Sequence, residues 1–147
     1  MTILNKTFLS GHGPFLEMVY CTSPLISEGW PSIGEYEKDI FFEFADDLLD
    51  DLCLITGQYC PFSPYEVTNL SDTESLQSVR STFADWATII SNASDKKISR
   101  VFSGLYEPNK NTTPSSMRHD VLDTLEYIIN YLSIAEKKGE TITIIGI

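Results

Sequence analysis

Three cysteines, two histidines and a dense run of carboxylates are the side chains with chemistry to offer in this 147-residue sequence. Cys53 and Cys60 lie seven positions apart, Cys21 is remote, and the histidines are His12 and His119. A zinc site needs converging thiolates or imidazoles, usually announced by C-x-x-C or H-E-x-x-H spacing. Neither spacing occurs, so no metal site and no cofactor is expected. Cys53 reads most simply as a small hydrophobe at the edge of an apolar helix face. Nucleophilic catalysis needs a base beside a Ser or Cys. His12 sits in the glycine loop Ser10-Gly-His-Gly-Pro14, and His119 falls on the polar side of a helix. Neither has a context such as G-x-S-x-G, and Gly11-His12-Gly13 lacks the rest of a phosphate-binding fingerprint. No catalytic residue is therefore assigned.

The carboxylates are the stronger feature. Asp46-Asp47 and Asp50-Asp51 are adjacent pairs, but acid/base chemistry needs two carboxylates in different environments, one of them desolvated. A row of acids on one solvated helix face is the opposite arrangement. The run also lacks the Asx/Gly pattern of a calcium loop. The segment from Glu35 to Asp51 holds eight acids and one lysine, a local charge of −7 within a total of −11.

The elements that carry these residues are read from periodicity. A first helix is expected over Tyr36–Thr56. On its wheel Ile40, Phe41, Phe42, Phe44, Ala45, Leu48, Leu49, Leu52 and Ile55 form one apolar arc. Asp39, Glu43, Asp46, Asp47, Asp50 and Asp51 form the complementary arc, with only Leu54 among them. Gly57 reads as its C-cap, with Pro61 and Pro64 beyond. Like charges at i,i+4 repel, so Asp39–Glu43, Glu43–Asp47, Asp46–Asp50 and Asp47–Asp51 should each cost about 0.2–0.5 kcal/mol.

A second helix is expected over Asp72–Ser91, with Ser71 and Glu74 as a capping box and Leu76, Val79, Phe83, Trp86, Ala87 and Ile90 as its core stripe. A third is expected over Ser115–Lys138. Thr113-Pro114 supplies its cap and first residue, and Gly139 ends it after Lys137 and Lys138. Its stripe is Met117, Val121, Leu125, Ile128, Leu132 and Ala135, widened by Leu122 and Ile129. Tyr127 and Tyr131 project off it, each as an aromatic contact or, more simply, as a core or rim residue. The Thr/Ile alternation of 140–147 reads as a strand, with Thr2–Leu9 as the expected partner. Lys96–Tyr106 reads as a short helix or a strand, and residues 10–35 read as mostly irregular, with Phe15–Cys21 open to a strand or short helix. Residues 57–70 and 106–114 read as loops. The fold expected is mostly α (α+β): three main amphipathic helices with a small β element that includes the C-terminal strand, in one domain spanning 1–147.

Bulk properties narrow the partners. Acids outnumber bases by 21 to 10, and the sequence pI is about 4.4. Such a chain is repelled by phosphate backbones and by anionic membranes, so neither direct nucleic-acid binding nor membrane binding is expected. The opening residues lack a signal-peptide core, and an odd cysteine count suits free thiols, so the expected location is cytoplasmic. The acidic array suits a basic surface, with Trp30 and Tyr36 beside it as aromatic anchors. The expected contact set is Trp30, Glu35, Tyr36, Asp39, Glu43, Asp46, Asp47, Asp50 and Asp51.

Small size, low pI and the acidic segment Asp39-Ile-Phe-Phe-Glu-Phe-Ala-Asp-Asp-Leu-Leu-Asp-Asp51 together resemble the bacterial immunity proteins of contact-dependent growth inhibition and related polymorphic toxin systems. The resemblance is one of type, with no aligned motif. It implies a non-catalytic protein that binds and neutralises one cognate toxin, often a nuclease. Two other readings stay open: a small enzyme using His12 or His119, and an acidic adaptor or DNA mimic.

Overall fold

The computed structural model describes residues 15–21, 41–62, 67–108, 111–139 and 141–146. Its elements run β1 (Phe15–Cys21), β2 (Phe41–Ala45), α1 (Asp46–Thr56), β3 (Val67–Leu70), α2 (Thr73–Asn92), α3 (Asp95–Phe102), a 3-10 turn (Ser103–Leu105), α4 (Pro114–Lys138) and β4 (Thr141–Gly146). The mostly helical α+β class expected from the sequence is what the chain adopts. The C-terminal strand is present, in a sheet larger than anticipated.

That sheet has four antiparallel strands in the order β2-β1-β4-β3. β4 sits between β1 and β3, pairing Met18 with Ile144 on one side and Leu70 with Ile142 on the other. Thr2–Leu9, the expected partner of β4, lies outside the described residues. Alternation puts Ile142, Ile144 and Leu70 on one face, and all three are buried. Phe15–Cys21 resolves as a strand. The expected loop at 57–70 is corrected at its end, where Val67–Leu70 finds its ladder on β4.

The largest correction concerns the first helix. Residues 41–45 form a strand, and among the described residues of this segment the helix is Asp46–Thr56, while residues 36–40 lie outside them. Phe-Phe-Glu-Phe is aromatic-rich and favours extended backbone, and β1 supplies a ladder from Phe41↔Val19 to Ala45↔Phe15. A short apolar run fits either period, so the wheel absorbed it wrongly. The remaining helix buries Leu48, Leu49, Leu52 and Ile55.

α2 and α4 form the centre of the helical layer, burying the expected stripes. The N-terminal part of α2 meets the C-terminal part of α4 through Gln77 and Glu136, while Arg118 at the start of α4 reaches the C-terminus of α2, so the pair is antiparallel. α4 keeps its expected signals. Thr113 and Ser116 form a reciprocal capping box, Pro114 opens the helix, and Gly139 closes it in the left-handed conformation at φ 66°. The α2 cap is corrected by one residue: Asp72, not Ser71, accepts from Ser75 N at 2.7 Å. Of the two tyrosines beside the α4 stripe, Tyr131 takes the core alternative and is buried. Lys96–Tyr106 resolves as α3 and the 3-10 turn, with Ile98 and Phe102 fully buried. No helix among the described residues is long and apolar enough to cross a membrane.

Candidate functional site: the outer face of α1

α1 begins with no intervening loop after β2, so the sheet edge fixes where the helix starts. Its first turn carries Asp46 and Asp47, where the positive end of the helix dipole favours anions. This changes the energetics expected from the sequence. Asp39–Glu43 and Glu43–Asp47 are not helical pairs, because Glu43 lies in β2 opposite Glu17 of β1. Only Asp46–Asp50 and Asp47–Asp51 keep the repulsive i,i+4 spacing. The acidic segment thus lies across a strand and a helix, not along one helical face. Trp30, Glu35, Tyr36 and Asp39 lie outside the described residues.

On α1 the buried face is Leu48, Leu52 and Ile55, flanked by Leu49. Opposite it, Asp47 and Asp50 are exposed, and Leu54 lies between them with 70% of its surface in solvent. Asp51 sits at the border of the two faces and is half-buried. Partial burial, reinforced by the negative charges of Asp47 and Asp50, pushes its carboxyl up to about 7. The sequence reading placed Asp51 among solvated acids; its border position on the wheel was the available signal that it was not. α1 has no basic residue in its last turn. Among the described residues the ion pairs are Arg80–Glu136, Arg118–Asp95 and His119–Asp123, none of which includes an α1 acid.

The loop after α1 is held firmly. Gly57 caps the helix at φ 67°, with its N–H on the Cys53 carbonyl at 3.0 Å. The buried Trp86 indole donates to Gln58 Oε1 at 2.8 Å. Phe62 is buried against Phe83, ring centroids 6.4 Å apart. Between these anchors Tyr59 is 97% exposed. Sequence reasoning missed Tyr59, which belongs to no periodic pattern.

The remaining candidates are chemically quiet. Cys53 and Cys60 are free and partly buried. Burial raises both thiols, Cys60 to about 11, so neither supplies a ready thiolate at neutral pH. His119 is exposed on α4, 3.3 Å from Asp123, and His12 lies outside the described residues. A depression of about 380 Å³ beside Pro61, Leu70 and the start of α2 includes Asp72, whose carboxylate is committed to capping Ser75. No group of three or more His, Cys, Asp or Glu side chains among the described residues is arranged to hold a metal ion.

Comparison with known proteins gave no family-model match, no similar curated protein and no similar solved structure. The meaning of the α1 face therefore rests on its own residues.

Proposed function

We propose that the protein is a stoichiometric inhibitor of the immunity type, binding a cognate toxin domain with a basic surface, a nuclease domain above all. It works without a catalytic step or cofactor, in the cytoplasm, and contacts neither nucleic acid nor membrane directly. The observation that carries this reading is the row of Asp47, Asp50 and Asp51 on α1, with no lysine or arginine in ion-pair reach among the described residues. A nuclease groove is cationic because its substrate is a polyanion, and a fixed carboxylate row occupies it by complementarity. The acids also accelerate encounter at low salt, since long-range attraction acts before contact.

The test is to co-purify the chain with the toxin module encoded beside its gene and to assay neutralisation. Binding by the wild type is expected to weaken steeply with added salt. Asp47→Asn with Asp50→Asn and Asp51→Asn is expected to lose affinity by about tenfold or more and to flatten that salt dependence. Absence of binding to the adjacent module overturns the inhibitor reading. Unchanged affinity in the triple variant removes α1 as the contact.

A further inference from the structure

Exposed leucines and tyrosines are common singly and mean little. Here Leu54, Tyr59 and Ile134 are the exposed large hydrophobics among the described residues, and two of the three fall at one end of α1. Leu54 is in the last turn of the helix, and Tyr59 follows two residues after the Gly57 cap. Leu54 stands one turn from Asp50 and Asp51 and two turns from Asp47, a reach of about 10 Å along the axis. Tyr59 is presented by a loop fastened on both sides, at Gln58 to Trp86 and at Phe62 to Phe83.

An aromatic on a fastened loop loses little conformational freedom when it docks, so its buried area converts to affinity efficiently. Acids around an apolar centre give the usual division of labour in an interface. The charges set encounter and register, and the desolvated apolar groups slow dissociation. We infer that Leu54 and Tyr59 are the anchors of a docking surface for a protein face in which an apolar strip is flanked by lysines or arginines. Charge complementarity selects that occupant, because an anionic or purely apolar face would strand the α1 carboxylates against like charge or without solvent. The inference rests on α1 as a contact surface and not on the identity of any toxin.

The test is an NMR titration of the full-length, ¹⁵N-labelled chain with two probes of equal charge, an amphipathic leucine/lysine peptide and an oligolysine peptide. The leucine/lysine peptide is expected to shift amides within 47–59 and to bind at least about tenfold more tightly than oligolysine. That preference is expected to vanish in Leu54→Ser/Tyr59→Ser, which alters exposed positions only. Equal binding of the two probes, a preference that survives in the double variant, or shifts confined to other surfaces would each overturn the inference. A chain that shows the preference but neutralises no toxin domain keeps the surface and loses the inhibitor reading. A chain that neutralises through its acids with no preference for the amphipathic probe does the reverse.

Discussion

Two regions of the helical layer treat charge in opposite ways. Where α2, α3 and α4 converge, Arg118 has work inside the fold. Arg118 donates from Nη1 to the Ile90 and Ala93 carbonyls at 2.6 and 2.8 Å, and from Nη2 to Asp95 at 2.7 Å. One guanidinium thereby satisfies the open C-terminal carbonyls of α2 and ties them to the first turn of α3. Farther along the same helix pair, Glu136 accepts from Gln77 at 2.7 Å and pairs with Arg80 at 3.0 Å. On α1, Asp47, Asp50 and Asp51 have no such partners among the described residues, and Asp51 is held partly out of water beside the other two. Paired charge joins elements; the α1 charge joins nothing within the described fold. That contrast is the physical reason for reading α1 outward.

Arg118→Ala should give the largest effect. It removes three hydrogen bonds and takes their Arg118 partner from the Ala93 carbonyl and from Asp95, while the Ile90 carbonyl keeps the Ala93 N–H, a loss of about 1–3 kcal/mol in chemical denaturation. A loss below about 0.5 kcal/mol would place this seam on the same footing as α1 and dissolve the contrast.

Asp51→Asn comes next and should act with the opposite sign. The folded state raises this carboxyl from an ordinary 3.8 to about 7, so between those values the folded chain holds a proton that the unfolded chain has lost. The contribution of Asp51 is fully favourable below the lower value and is lost as pH rises through the upper one. Asp51→Asn should therefore raise Tm at pH 8 and leave it nearly unchanged at pH 4. Equal shifts at both pH values would mean that Asp51 is solvated like its neighbours.

Asp47→Asn should have the smallest effect, within about 0.5 kcal/mol, because relief of repulsion with Asp51 and loss of attraction to the helix dipole oppose each other. A destabilisation well beyond that range would reveal an intramolecular partner for the exposed acids.

How much of this was legible in the sequence varied with element length and with the distance of the deciding partner. α4 was readable because its 3.6-residue period persists through a long helix and its ends carry strong local signals in Thr113-Pro114 and Gly139. α2 was readable in its stripe but misread by one residue at its cap, since Ser71/Glu74 and Asp72/Ser75 offer overlapping patterns and only geometry chooses between them. Phe41–Ala45 was misread because the choice of strand is made by β1, far back in the chain. Val67–Leu70 was invisible for the same reason, being four residues whose partner is β4. At the site, the acids and the anomaly of Leu54 were visible on the wheel. The desolvation of Asp51 and the fastening of the Tyr59 loop were not, because both depend on packing from other elements.

The position of β4 has a consequence in time. Among the described elements it comes last in chain order, yet it lies between β1 and β3. The helices can form while the chain is being made, since the backbone hydrogen bonds within each helix are local. The sheet cannot be completed until β4 emerges, and closing β1 onto it spans nearly the whole sequence. During synthesis β3 waits without its ladder and β1 has only β2. Completion of the sheet is therefore gated by β4, and a chain cut after Gly139 would leave β1 and β3 without their shared partner.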